Sequence, residues 1–86
     1  MDKRDEILTI AQEECGEFVQ IVSKVRRFGM DGNANRLAQE AGDILCMLEL
    51  MVENDIVTKE DLELAKLSKR EKLKVWSNIF KKDETI

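Results

Sequence analysis

The 86-residue chain contains no proline, no histidine and no tyrosine, and it has only four glycines. With so few residues that break helices, and with leucine, isoleucine, glutamate, lysine and alanine dominating, the composition predicts an all-α fold. The absence of histidine excludes histidine-based catalytic triads and histidine-rich zinc sites. Any catalysis must therefore use other side chains.

The chain also lacks a disulfide framework, because it has only two cysteines. We interpret Cys15 and Cys46 as reduced thiols on or near helix surfaces. The first residues contain no apolar segment typical of a secretory signal, and no apolar run approaches the ~18 residues that cross a membrane. We expect no membrane association and a cytoplasmic location.

Large aromatic residues are few, and the length predicts one domain spanning residues 1–86. A chain of this size buries only about 60% of its surface, so a monomer would be marginally stable. We therefore expect self-association, as a homodimer or homotetramer, to complete a four-helix-type bundle. The net charge of −4 with intermixed signs gives no footprint for nucleic-acid binding.

Helical periodicity predicts an antiparallel hairpin followed by a C-terminal helix. The first helix should span about residues 2–28, with a turn at 30–33. The second should begin at Asn33 or Asn35, either of which can cap it, and end near Glu53. Thr58 should cap a third helix that no glycine or proline interrupts before Lys81, although a capping box at 68–71 could split it into two short helices. We expect residues 81–86 to form a frayed tail.

Four acidic residues occupy positions that helical patterning assigns to apolar contacts: Glu14, Glu17, Glu40 and Asp43. Glu14 lies in the middle of the first helix's apolar stripe, and Glu17 lies at its edge. Glu40 and Asp43 lie within or beside the second stripe. A carboxylate directed at a core is unfavourable unless a positive charge compensates it, and a hairpin can bring both pairs face to face.

Hard oxygen ligands with no histidine or cysteine pair nearby favour Mg²⁺, with Mn²⁺ as a second possibility. Magnesium held by carboxylates commonly keeps several waters and takes substrate phosphates as its remaining ligands. Hydrolysis would then use a metal-bound water, with a spare carboxylate as general base. The alternative is a helical bundle with two poorly buried acid pairs that Lys and Arg side chains bridge.

Polyphosphate recognition needs positive charge near the acids. Our candidates for substrate contacts are Lys24, Arg27, Asn33, Arg36, Lys69, Arg70 and Trp76. The alternative for the cationic residues is a surface side chain whose stem covers apolar area. Trp76 can stack on a nucleobase, but at helical spacing it fits a core or interface position better.

These motifs resemble those of MazG-like proteins, in the all-α nucleoside triphosphate pyrophosphatase superfamily. The segment 13–17 (EECGE) resembles the E-E-x-x-E motif, and 40–43 (EAGD) resembles the E-x-x-D motif. Segments 23–29, 42–45 and 69–78 resemble the corresponding parts of small bacterial and phage members. The resemblance covers roughly residues 6–79.

The resemblance implies an enzyme that cleaves the α–β phosphoanhydride of a nucleoside triphosphate with Mg²⁺. It implies that Glu14, Glu17, Glu40 and Asp43 are metal ligands and catalytic residues, with one of them orienting or deprotonating the attacking water. It also implies that Lys24 binds phosphate. It also implies a dimer or a dimer of dimers. The related phosphoribosyl-ATP pyrophosphatases usually carry a histidine soon after the aspartate of the E-x-x-D motif. Here the sequence of residues 44–47 is ILCM, with no histidine. A role in histidine synthesis is therefore disfavoured. The alternatives are a catalytically silent regulatory module and a purely structural helical oligomer.

Overall fold

The computed structural model describes residues Met1–Lys81, and within them it is all-helical, with three helices and no strand. The helices are α1 (Lys3–Phe28), α2 (Ala34–Glu53) and α3 (Lys59–Trp76). The predicted fold class is thereby confirmed at the level of all-α. Of the predicted frayed tail, residues 82–86 lie outside the described part of the chain.

Local signals define both ends of α1. The Asp2 side chain accepts a hydrogen bond from the Asp5 backbone amide at 2.8 Å, which satisfies a donor that the first turn leaves free. At the other end, Gly29 adopts φ 87°, a left-handed conformation that glycine tolerates best. Its amide donates to the Val25 carbonyl at 2.7 Å and closes the helix.

The connection between α1 and α2 is short, and the two helices pack against each other. Ile7 and Ala11, near the start of α1, form the core with Met47, near the end of α2. The two helices are therefore antiparallel, as predicted. Partly buried residues extend this core: Ile10, Leu50, Met51 and Ile56.

The second helix shows two differences from the predicted pattern. Asn33 is its N-cap residue, but its side chain makes no capping bond and instead donates to the Gly29 carbonyl at 2.9 Å. Helical spacing from Leu37 and Ile44 puts Leu45 on the apolar stripe, but Leu45 is 61% exposed, whereas Met47 is buried. Periodicity alone locates the centre of the stripe better than its edge, because both residues lie close to the boundary.

The third helix begins as predicted, since the Thr58 hydroxyl accepts a hydrogen bond from the Asp61 amide at 3.1 Å. It continues through Ser68 without a break. It ends at Trp76, so the predicted extension to Lys81 is wrong. Ser77 explains the early end: its backbone is extended, and its hydroxyl donates to the Leu73 carbonyl at 2.7 Å.

The chain forms two compact units, of which the first is Met1–Ile56 and the second begins at Val57 and contains α3. No residue of α3 is buried. On its predicted apolar face, Leu62 and Leu73 are half-buried and Ala65 is exposed. Trp76 is 84% exposed, so it is not a core residue of this chain. Among the described residues, no helix is both long and apolar enough to cross a membrane.

Candidate metal centre

Three carboxylates from two helices meet in the middle of the α1–α2 pair. Glu14 of α1 and Glu40 and Asp43 of α2 each offer an oxygen, and these oxygens all lie within 4.8 Å of one another. The antiparallel packing brings the three carboxylates together, because it places the middle of α1 against the middle of α2. Residues three apart on one helix share a face, which is why Glu40 and Asp43 both point toward Glu14.

Two oxygens of this cluster are buried without a hydrogen-bond partner. They are Oε2 of Glu14 and Oε2 of Glu40. Glu40 is the one buried charged residue among those described, with 4% of its surface exposed. Buried carboxylate oxygens are normally satisfied by donors or by a cation, so these two atoms mark a place where a positive ligand is missing from the protein's own side chains.

One cationic side chain does reach the cluster. The Arg36 guanidinium lies one turn before Glu40 on α2, and its Nε donates to Glu40 Oε1 at 3.2 Å. The Arg36 side chain is 54% exposed, whereas that of Glu40 is 6% exposed. Glu40 thus has one oxygen on a guanidinium that borders solvent and one buried oxygen with no partner.

The close approach of like charges perturbs the protonation of Glu14. Desolvation raises the pKa of Glu14, and the neighbouring charges of Glu17, Asp43 and Glu40 raise it further, as does the hydrogen bond that a protonated Glu14 can make with Asp43. Burial and negative neighbours both disfavour an ionised carboxylate. The cluster therefore holds more negative charge than its surroundings stabilise.

Glu17 stands apart from the group of three. It is exposed on α1, one turn after Glu14, and it is not among the residues whose oxygens lie within 4.8 Å of one another. When it is protonated, Glu17 can donate a hydrogen bond to Glu40, which raises the pKa of Glu17, as do the charge of Glu40, desolvation and the charge of Asp43, while the charge of Arg36 lowers it. Glu17 is thus a solvent-accessible carboxyl at the edge of the cluster.

Other acidic residues on the same helices behave differently. Glu13 and Glu53 lie off the apolar stripes by helical spacing, and both are exposed. Asp2 and Asp5 lie at the start of α1, where the Asp2 carboxylate accepts a hydrogen bond from the Asp5 backbone amide. A spacing of three residues therefore occurs both in the clustered pair Glu40 and Asp43 and in the exposed pair Asp2 and Asp5, and only the clustered pair faces the partner helix.

The four predicted substrate contacts in the first unit each have a different environment. Lys24 is exposed on α1. The Arg27 guanidinium lies over the Phe28 ring, 5.1 Å from its centroid, while Asn33 is engaged with Gly29. Arg36 is the one among them that contacts a carboxylate of the cluster.

The remaining predicted contacts belong to α3 in the second unit. Lys69, Arg70 and Trp76 are all exposed there. The Arg70 guanidinium lies over the Phe80 ring, 4.9 Å from its centroid, which is a cation–π contact within the unit. Lys69 shares its helical face with Leu62 and Leu73 by spacing, yet it is exposed.

The donor set fits a hard divalent cation. Carboxylate oxygens from three residues, two of them with buried and unsatisfied atoms, are the ligand type that Mg²⁺ and Mn²⁺ prefer. No protein-family model, no curated protein and no solved structure matches this chain. The function of the chain therefore has to be inferred from its own residues and their geometry.

Proposed function

We propose that this chain is a Mg²⁺-dependent nucleoside triphosphate pyrophosphohydrolase of the MazG-like type. It would convert an NTP or dNTP to the monophosphate and pyrophosphate. The observation that carries the proposal is the convergence of Glu14, Glu40 and Asp43 around buried carboxylate oxygens that have no partner. The sequence resemblance to the E-E-x-x-E and E-x-x-D motifs supplies the reaction class.

Charge balance supports a cation at this place. Within Met1–Lys81, one ion pair reaches the cluster, between Arg36 and Glu40. One guanidinium does not balance three carboxylates and the adjacent Glu17. Because like charges at this separation repel strongly in a partly dry environment, either protons or a divalent cation must relieve them. A divalent cation relieves the repulsion at neutral pH, and it does not require any of the carboxylates to be protonated.

The reaction itself is a hydrolysis that needs no redox partner. The oxygen of a water molecule forms a bond to the α-phosphorus, and the α–β phosphoanhydride bond breaks. The bridging oxygen leaves with pyrophosphate, and a proton from the water passes to a protein carboxylate. A bound Mg²⁺ supplies charge neutralisation for the triphosphate oxygens and for the carboxylates.

We assign the role of proton acceptor to Glu17. It is exposed, so water can reach it, and it lies beside Glu40 without belonging to the group of three. A solvent-accessible carboxylate outside the ligand set can take a proton from water without giving up a contact to the cation. Glu14, Glu40 and Asp43 then hold the cation, and Arg36 is the nearest cationic side chain for a phosphate oxygen.

Self-association belongs to the same proposal. The core of the first unit contains few buried apolar residues, and α3 has none. Large apolar side chains are exposed on both units, among them Val19, Phe28, Leu45, Leu64, Leu67, Val75 and Trp76. Exposed apolar area of this extent is typical of surfaces that pack in an assembly. We therefore propose a homodimer or homotetramer, acting on the cytoplasmic nucleotide pool.

Product analysis tests the function. Each NTP and dNTP is incubated with the protein and Mg²⁺, and pyrophosphate and orthophosphate are measured separately. We expect pyrophosphate without orthophosphate, and we expect its release to be lost in Glu40→Gln and in Asp43→Asn. The matched controls Glu13→Gln and Glu53→Gln remove exposed acids from the same helices and should retain activity.

Two other outcomes would contradict the proposal. Stabilisation by Mg²⁺ with no turnover of any triphosphate would indicate a catalytically silent member that keeps the metal. Neither stabilisation nor turnover would leave a helical oligomer without a metal site.

A further inference from the structure

Arg36 and Glu40 form a contact that no part of the proposed hydrolysis requires. The Arg36 Nε donates to Glu40 Oε1, while Glu40 Oε2 is buried and has no partner. The two oxygens of one carboxylate are thus divided between a guanidinium and the acid cluster. An interaction that restrains Glu40 in this way also places a positive charge beside the proposed cation site.

We infer that Arg36 makes the site selective for a cation that already carries a polyphosphate over a bare cation. The inference rests on the proposed function and concerns the form in which the cation is accepted. A guanidinium hydrogen-bonded to a ligand carboxylate repels an incoming divalent cation and competes with it for Glu40. The same guanidinium attracts an anion that arrives with the cation.

The geometry allows Arg36 to act on both partners. Its Nε is used on Glu40, and its side chain is 54% exposed, so the terminal nitrogens border solvent. A guanidinium presents five N–H donors in a planar fork, and one contact with a carboxylate leaves donors for phosphate oxygens. Lysine has no such fork, since its ammonium is a single point of charge.

Removal of Arg36 should change two affinities in opposite directions. In Arg36→Gln, bare Mn²⁺ should bind about threefold to tenfold more tightly, because a competing like charge is gone. The complex of Mn²⁺ with an α,β-methylene triphosphate analogue should bind about tenfold more weakly, because a charge-assisted contact to phosphate is lost. Loss of a purely structural residue would weaken both.

Isothermal titration calorimetry of the full chain measures both affinities, with Mn²⁺ alone and then with the analogue at saturating Mn²⁺. Arg36→Lys keeps the charge, so its affinity for bare Mn²⁺ should stay near that of the wild type. Arg4→Gln removes an exposed positive charge at the start of α1 and should leave both affinities unchanged. Circular dichroism of each variant confirms that it is folded before titration.

The outcomes separate this inference from the proposed function. If the wild type binds Mn²⁺ and Asp43→Asn does not, but Arg36→Gln binds bare Mn²⁺ no more tightly than the wild type, the inference is overturned and the metal site stands. If Arg36→Gln weakens both affinities equally, Arg36 is a structural residue and the inference is again overturned. If the wild type binds no Mn²⁺, the proposed function fails, and the inference fails with it.

A second measurement uses the thermal stability of the protein. In metal-free buffer, Arg36→Gln should lower the thermal midpoint, because the buried Glu40 carboxylate then loses its guanidinium partner. Saturating Mn²⁺ should raise the midpoint of the variant by more than it raises that of the wild type. An equal or smaller rise in the variant would contradict the inference.

Discussion

Glu14 on α1 and Glu40 on α2 each place an Oε2 atom in the interior of the helix pair, and neither atom has a hydrogen-bond partner within the described residues. Two unsatisfied carboxylate oxygens buried in the same helix pair are destabilising in the absence of a ligand. The first unit has little buried apolar area to offset this cost. The arrangement is understandable if the helices hold the two carboxylates in place for a cation.

Replacing Glu14 with leucine should separate stability from function. In metal-free buffer, Glu14→Leu should raise the thermal midpoint by a few degrees, because it removes a buried unsatisfied oxygen and relieves repulsion with Asp43 and Glu40. The same variant should have no pyrophosphohydrolase activity. Differential scanning calorimetry in EDTA checks the first effect, and a fall in the midpoint would contradict it.

Cation binding should stabilise the fold through Asp43. At a Mg²⁺ concentration of about one hundred times Kd, the free energy of unfolding of the wild type should rise by about 2.7 kcal/mol. Asp43→Asn should show little of this rise. Asp31→Asn, in the exposed turn between α1 and α2, is the matched control and should respond to Mg²⁺ as the wild type does. A full response in Asp43→Asn would remove Asp43 from the ligand set.

Glu17 should matter for turnover more than for metal affinity. If Glu17 accepts the proton, Glu17→Gln should lower kcat by about 10²–10⁴-fold. Its affinity for Mn²⁺ should fall less than that of Asp43→Asn, because Glu17 lies outside the group of three. Steady-state kinetics and Mn²⁺ titration on the same preparations measure the two effects. A loss of affinity as large as that of Asp43→Asn would make Glu17 a ligand and not the base.

Stability without metal should depend on pH in a defined direction. The pKa values of Glu14 and Glu17 are raised above their usual 4.5 in the folded protein, so the folded state binds protons more tightly than the unfolded state. Their contribution to stability is complete below 4.5 and is lost as the pH rises through the raised values. The metal-free protein should therefore have a lower thermal midpoint at about pH 8 than at about pH 5. The dependence should be shallower in Glu14→Gln, and an unchanged slope there would assign the effect to other groups.

Asn33 should contribute to stability through Gly29. Its side-chain amide donates to the Gly29 carbonyl at the end of α1, so Asn33→Ala should lower the free energy of unfolding by about 0.5–1.5 kcal/mol. Asn35→Ala, at the second residue of α2, has no such hydrogen bond to lose and is the control. Urea denaturation measures both variants. Equal stability of the two would show that the Asn33 contact is not maintained in solution.

Most of the fold can be predicted from local signals in the sequence. Asp2, Gly29 and Thr58 act through their own backbone neighbourhoods, and each marks a helix end where the sequence predicts one. The end of α3 is missed because Ser77 terminates the helix through a side-chain contact with Leu73, and serine occurs in many positions that do not end helices. The lack of glycine and proline before Lys81 predicts a longer helix, but it does not prevent the helix from ending at Trp76.

The candidate site shows a similar division. Periodicity is enough to predict that Glu14, Glu40 and Asp43 face the partner helix. It does not show that Glu17 remains exposed, because a residue at the edge of a stripe can turn either way. The Arg36–Glu40 contact has a sequence signal, since residues four apart on a helix can pair, but many such pairs are ordinary surface contacts. Its significance depends on the burial of Glu40, which only the packed structure provides.

The most direct measurement is the position of the cation itself. Crystals grown with Mn²⁺ and an α,β-methylene triphosphate analogue give an anomalous signal that locates the metal without reference to activity. We predict a single Mn²⁺ per chain, coordinated by oxygens of Glu14, Glu40 and Asp43 and by the analogue. A fully occupied Mn²⁺ elsewhere, or a cluster whose carboxylates face only solvent in saturating Mn²⁺, would contradict the account.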